Sequence, residues 1–265
     1  MLALAVASAM SNAARLRPQT SAAFDHYVLV TETRMNADLS AGRFLRIARI
    51  PETRAALRAG ETRIQPSSTL DNGKEIDVPS GLIQDWIGAM FIPNATIAQI
   101  QAVLQDYANY KDFYQPDVTD SKEIAHHGDQ YDVFLRLYKK QVLTVVLNTT
   151  YHVEYHALDP SRLSVTSRST KIAQAKDAKN PEAGEEPVGD DLGTLWRLNS
   201  YWRFEQSDGG VYAECEAISL SRDIPGLLAW MIRGFVEKFP NESMRNTLRG
   251  TKDAVMKRAD LPVGR

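Results

Sequence analysis

A single cysteine, Cys215, stands in 265 residues, so an intrachain disulfide is impossible and a metal site of four thiolates is excluded. No block of like charge runs five or six long. With 31 basic and 33 acidic residues the formal net charge is −2, and no electrostatic footprint for nucleic acid is present. No apolar run reaches the ~20 residues that a membrane-spanning helix requires, so no transmembrane segment is expected. Metal ligands are scarce. His152 and His156 are four apart, but they fall in a segment that alternates like a strand, and "AHHGD" around His126 and His127 reads as a polar loop. There is no G-x-S-x-G and no phosphate-binding loop. No metal, no cofactor and no catalytic residue is assigned from these patterns.

What is present is ordinary globular composition: 43% hydrophobic and 24% charged residues, with 4 Trp, 10 Tyr and 8 Phe. That supports one large domain, or one domain with an extension. The amino-terminal "MLALAVASAMSNAAR" has a short apolar core and small residues at cleavage-like places, Ala7-Ser8-Ala9 or Ser11-Asn12-Ala13. It resembles a secretory signal without a basic start, the first positive side chain being Arg15. Residues 1–19 are read as a signal peptide or a disordered end. A periplasmic or secreted location is expected, with a cytoplasmic one as the alternative.

Along residues 20–80 the patterns predict an accessory region. Apolar residues at Phe24, Tyr27, Val28, Met35 and Leu39 have helical spacing, and "PETRAALRAG" reads as a short helix opened by proline and closed by glycine. Asn72-Gly73 predicts a hairpin turn between short polar arms. "GLIQDWIGAMFIP" is then a strand ended by proline, feeding a helix over 96–114. Thr96 with Gln99 gives its capping box, and Ile97, Ile100, Val103, Leu104 and Tyr107 its buried stripe.

Three strands follow, at Tyr131–Tyr138, Leu143–Tyr155 and Leu163–Ile172. In the middle one Leu143, Val145, Leu147, Thr149, Tyr151 and Val153 share one face, and His152 and Glu154 point outward from the other. Arg136, Tyr138 and Arg168 could face either way. "AQAKDAKNPEAGEEPVGDD" is a long polar loop, mobile or a flap. The chain ends in two helical stretches, Gly226–Phe239 and Pro240–Arg258, the second with Met244, Leu248, Thr251 and Val255 on one stripe.

The most informative stretch is "YWRFEQSDGGVYAECEAISLSRDIPG". With Asp208-Gly209 as a two-residue turn, Arg203 faces Glu214 and Tyr201 faces Glu216. On the other face Phe204 meets Ala213, Trp202 meets Cys215, Ser200 meets Ala217 and Leu198 meets Ser219. A one-residue slip would mix the faces. The interior row Ala213, Cys215, Ala217, Ser219 leaves volume above it, which in a close-packed interior is filled either by the following helices or by a ligand.

The order strand (81–93), helix (96–114), antiparallel strands and long carboxy-terminal helix is similar to the START-like, SRPBCC helix-grip superfamily. "DWIGAMFIPNATIAQI", "WRLNSYWRFEQSDGGVYAECEAISLSRDIP" and "LLAWMIRGFV" carry the resemblance, over about residues 81–258, and bacterial members of unassigned function look most alike. It implies an α+β fold, a curved antiparallel sheet wrapped around a long carboxy-terminal helix with an apolar cavity between them. It also implies that the cavity binds or transports a hydrophobic small molecule: a lipid, a sterol-like molecule or a polycyclic aromatic. Trp202, Phe204, Ala213, Cys215, Ala217, Tyr151, Val145 and Leu147 would line the sheet side, and Leu228, Met231 and Met244 the helical side. The alternatives are a polyketide cyclase or dehydratase using the same cavity, and a protein-interaction module docking through residues 20–80.

Overall fold

The computed structural model describes residues 14–140, 144–223 and 226–259, and of residues 226–239 and Ala259 the backbone alone. Leu143 and residues 1–13 lie outside the described residues, as do the side chains of Leu228 and Met231.

Eight strands form one open antiparallel sheet. In spatial order they are β2 (Arg63–Ser67), β5 (Gly81–Pro93), β12 (Gly210–Arg222), β11 (Arg197–Ser207), β9 (Arg162–Gln174), β8 (Thr144–Asp159), β7 (Gln130–Lys140) and β6 (Val118–His127). Two small ribbons stand apart: β1 (Ala14–Arg15) with β10 (Asp190–Asp191), and β3 (Leu70–Asp71) with β4 (Lys74–Glu75). The helices are α1 (Pro18–Ser40), α2 (Pro51–Arg58), α3 (Ile97–Leu104), α4 (Tyr110–Phe113) and α5 (Gly226–Ala259).

The β11–β12 hairpin has the expected register, Trp202 opposite Cys215 and Arg203 opposite Glu214. Asp208 and Gly209 both take positive φ, 55° and 77°, which is what a two-residue turn matched to strand twist demands. At α3 the capping box is complete: Thr96 Oγ1 accepts from Gln99 N at 3.3 Å, and Gln99 Oε1 accepts from Thr96 N at 2.9 Å.

Four features differ from the sequence reading. His126 and His127, read as part of a polar loop, instead end the strand Val118–His127; the turn lies at Gly128-Asp129, and His126 pairs with Tyr131 across the ladder. The strand's charged residues disguise it because it is a sheet edge, where charge blunts aggregation. The helix predicted over 96–114 stops at Leu104 and resumes as a 3-10 turn (Tyr107–Asn109) and α4. The two carboxy-terminal helical stretches are one helix, with Pro240 inside it. Finally, the long loop is anchored: Asn148 Nδ2 donates to the Pro181 carbonyl and to Glu185, on the face of β8 turned away from α5.

The sheet is covered on its inner face and on part of its outer face. Its inner face, carrying Met90, Val165, Trp202, Phe204 and Ala213, packs on α3 and on Met244, Leu248 and Val255 of α5. Over β5, β12 and β11 its outer face is covered by the amino-terminal segment. α1 brings Phe24, Tyr27 and Met35 onto Tyr201, Ile218 and Leu220, while Phe44, Leu45 and Leu57 pack on Ile87, Phe91 and Tyr212. Residues 20–80 thus supply both the β2 edge strand and the outer layer. This second layer is why Glu214 and Glu216, on the polar side of the hairpin, are each only 1% exposed.

Candidate ligand-binding site

Strand alternation decides what faces α5. Along β12 the inward residues are Val211, Ala213, Cys215, Ala217 and Ser219, and the neighbouring β5 offers Gln84, Trp86 and Gly88 at the same level. The small row serves two purposes along its length. At the level of Cys215, opposite Gly88, α5 lies close: a Cβ on Gly88 would come within 2.8 Å of Leu248 Cδ1 and 2.9 Å of Met244 Cγ. From that level on toward Ala217 and Ser219 a cavity of about 290 Å³ opens, lined by Cys215, Ala217 and Ser219.

Trp86, Trp202, Tyr107, Tyr110, Tyr151 and Tyr155 contribute its aromatic wall, with Val133, Leu135, Leu137, Val153 and Val165 from the sheet and Met244 from α5. Of the residues singled out in the sequence, Trp202, Cys215, Ala217, Tyr151 and Met244 line this space. Phe204 and Ala213 are fully buried in the packed core beside it. Val145 and Leu147 lie one shell back, against the cavity-lining Leu137, Leu195 and Leu198. Leu228 and Met231 belong to the part of α5 whose side chains are outside the described residues. Arg136 and Arg168 turn to the outer face, where they bond Asn148 and Glu32. His152 pairs with Asp132 at 2.9 Å, away from the cavity. Among the described residues no group of three or more His, Cys, Asp or Glu is placed to hold a metal ion.

Sequence reasoning missed the tyrosine end. Tyr155 donates to the Leu104 carbonyl at 2.8 Å, Tyr110 donates to the same oxygen at 2.5 Å, and Tyr107 bonds Tyr155 across 2.7 Å. Since Tyr155 gives its only hydroxyl hydrogen to Leu104, Tyr107 must be the donor in the last pair. Tyr131 packs on both Tyr107 and Tyr155, with ring centroids 5.5 and 5.4 Å away. Burial raises the Tyr107, Tyr110 and Tyr155 phenols above their ordinary range, and Tyr151 to about 12. With their donor hydrogens committed to neighbours, Tyr107, Tyr110 and Tyr155 present ring faces rather than a proton donor. The signal in the sequence was the density of tyrosine in "DYANYKDFY".

A polar corner completes the cavity. Lys139 pairs with Asp117 at 3.1 Å and donates to Ser243 at 3.2 Å, and Asn246 donates to Asp117 at 3.4 Å. These contacts join β7, the segment before β6, and α5, so the polar groups here are bonded to one another across the rim.

An open antiparallel sheet whose inner face carries the carboxy-terminal helix, entered through a strand–helix unit at 81–104, decides the architecture. It is a START-like helix-grip fold. Solved structures similar to this one include a STAR-related lipid transfer protein fragment from Xanthomonas axonopodis (15% identity, 73% of this chain and 98% of that one, TM-score 0.47). The Zhui aromatase/cyclase from a Streptomyces species is 12% identical over 69% of this chain and 100% of that one, with a TM-score of 0.48. A START superfamily protein from Mycobacterium smegmatis is 10% identical over 67% and 97%, TM-score 0.40. At such identities no residue role is carried across. No protein-family model and no curated protein matches the sequence. Among the described residues no helix is long and apolar enough to cross a membrane.

Proposed function

We propose that this chain binds or carries a compact hydrophobic small molecule in the cavity between the inner sheet face and α5. The single observation that carries the reading is an aromatic and aliphatic wall around about 290 Å³ in which the Tyr107, Tyr110 and Tyr155 hydroxyls are bonded to the protein itself. The volume sits at the lower edge of the ~300–1,000 Å³ usual for ligand pockets, which favours a single-chain lipid or a few fused rings over a two-chain lipid. Burial of apolar ligand surface at about 25 cal/mol per Å² supplies affinity without a charged anchor. The cavity-lining residues run from Gln84 to Thr247, which supports residues 81–258 as the ligand-binding unit and 20–80 as its backing.

Native mass spectrometry of freshly purified protein tests this, followed by thermal shifts of delipidated protein with fatty acids, sterols and polycyclic aromatics. A bound species or a stabilising class supports the reading; no adduct and no shift across the panel sinks it. A second reading, a cyclase-like enzyme, is favoured by one observation, the Lys139–Asp117 pair on the cavity wall. Recovery of ligand and a chemically altered product from the same incubation would select it. Export forms part of the same proposal. Cleavage after Ala13 would leave β1, Ala14–Arg15, in the mature chain, and amino-terminal sequencing of protein from the expressing cells checks it.

A further inference from the structure

The outer face of the cavity-forming strands holds a second constellation. Asp85, Glu214 and Glu216 are buried there, at 5%, 1% and 1% exposure. Glu214 is fully engaged, accepting from the backbone N–H groups of Arg46, Ile47 and Ala48 at 2.7, 2.8 and 3.0 Å. Glu216 Oε1 accepts from Arg34 at 2.6 Å, Arg46 at 3.2 Å and Ser67 at 3.3 Å.

Asp85 is provided for differently. Its Oδ2 accepts from the Tyr27 hydroxyl at 2.9 Å, while its Oδ1 has no hydrogen-bond partner among the described residues; nor has Glu216 Oε2. The groups facing Asp85 are Tyr27 and Arg34 from α1, Arg46 from the segment before α2, Ser67 from β2 and Glu216 from β12. Asp38, Glu214 and Arg203 stand further along the same face. Arg34 Nη2 and Arg46 Nη1 donate to Glu216, Arg46 Nη1 also to Ser67 at 2.7 Å, and neither arginine donates to Asp85; Arg34 Nε and Nη1 have no hydrogen-bond partner among the described residues. In the ladder Asp85 lies opposite Ile218 and Glu216 opposite Ile87, so the two acids are diagonal neighbours on adjacent strands. A buried carboxyl with one bare oxygen and a like charge beside it keeps its proton more tightly than in water, and burial followed by Glu216 raises Asp85 to about 7.

The same strands carry the cavity on their other side. Gln84 and Trp86 flank Asp85 in sequence, Cys215 and Ala217 flank Glu216, and all four line the cavity. We propose that Asp85 is a proton-operated latch, closed when protonated, that fastens α1 to the outer face of the sheet and braces the cavity floor on the reverse of β5 and β12. In the closed form ionisation sets a second negative charge beside Glu216 without adding a cation. Opening the layer lets water solvate that charge, and there Asp85 titrates near the ordinary ~4. The closed form therefore binds the proton more tightly than the open form. Opening becomes easier as pH rises from about 4 to about 7 and levels off above that.

Hydrogen exchange of the full chain between about pH 5 and pH 8, corrected for the intrinsic pH dependence of amide exchange, tests the latch. Protection of α1, β5 and β12 is expected to fall together, approaching tenfold per pH unit, up to about pH 7 and then to hold constant. Asp85→Asn cannot ionise and should give a flat profile. Tyr27→Phe removes a donor that favours the ionised form, so the levelling point should move to higher pH. A profile for Asp85→Asn as steep as that of the unaltered chain would overturn the proposal. A response of α1 without β5 and β12 would overturn it as well. If Asp85→Asn does not fold, an unshifted profile in Tyr27→Phe overturns it by itself.

Discussion

Tyr107 donates its hydroxyl hydrogen to Tyr155 across 2.7 Å, and Tyr155 hands its own to the Leu104 carbonyl at 2.8 Å. Leu104 ends α3, where a carbonyl has lost its helical partner, so the two phenols anchor that helix end to the sheet. The relay gives the Leu104 carbonyl, at the break in the predicted single helix, a partner and ties the aromatic end of the cavity to α3. Tyr155→Phe removes both bonds while keeping the ring. Leu104 retains Tyr110, and the Tyr107 hydroxyl is left without its acceptor. The expected loss is about 1–3 kcal/mol in urea unfolding, read as a lower midpoint with an unchanged slope. An unchanged midpoint would mean that water replaces both partners at no cost.

Ala213 and Ala217 share one strand face but should respond oppositely to enlargement. Ala213 is fully buried against Phe204 and the packed core, so Ala213→Leu forces neighbours aside and should cost about 1–3 kcal/mol of stability. Ala217 lines the cavity beside Ser200, so Ala217→Leu has room to enter. It should leave thermal unfolding nearly unchanged and weaken binding of an anilinonaphthalene-sulfonate dye by about tenfold or more, some 1.4 kcal/mol. Equal dye affinity in a well-folded Ala217→Leu protein would place the dye, and the binding site, elsewhere.

The contrast between those alanines also marks how far the sequence could be read. The hairpin register was legible because turn chemistry, cross-strand charge pairing and the large-against-small opposition all agree on one alignment. The helix cap at Thr96 was legible for the same reason. Which part of the small row seats α5 was not, because that depends on the approach of Met244 and Leu248 to Gly88, a contact between distant segments. Val118–His127 was hidden because an exposed edge strand has no apolar alternation to reveal it. The polar side of the hairpin suggested solvent, and only the placement of α1 and α2 over it turns Glu214 and Glu216 into buried groups. Local pattern fixes which residues share a face; what covers that face is a tertiary fact.

Glu214 tests the grip of that outer layer. Its carboxylate collects three consecutive backbone N–H groups, those of residues 46–48, which otherwise have no partner in regular structure. Glu214→Ala should strand them in a buried site. At about 1–3 kcal/mol for each unpaired donor, the loss is expected to exceed roughly 3 kcal/mol and to free the segment between α1 and α2 to proteolysis. Glu214→Gln keeps one acceptor oxygen and should lose less. If the two variants unfold at the same temperature, the shared loss of negative charge rather than the lost acceptors is decisive, and the pairing with Arg203 at 3.9 Å becomes the term to examine.

Cys215 reports on the cavity from inside. It lies on the inner wall, 2% exposed, between Trp202 on β11 and Gly88 on β5. Burial, then the neighbouring Glu216 and Glu214, push its thiol well above the ordinary range, so at about pH 8 it remains protonated and a poor nucleophile. A disulfide reagent should therefore label the folded protein far more slowly than the unfolded chain, at a rate set by opening of the layer between sheet and α5. A dye or ligand seated over Cys215 should slow labelling further, and Ala217→Leu should remove that extra protection while leaving the unliganded rate nearly unchanged. Rapid labelling of the folded protein at about pH 8 would show that reagent reaches Cys215 through the cavity without opening of the layer, which would contradict the protection expected from its burial.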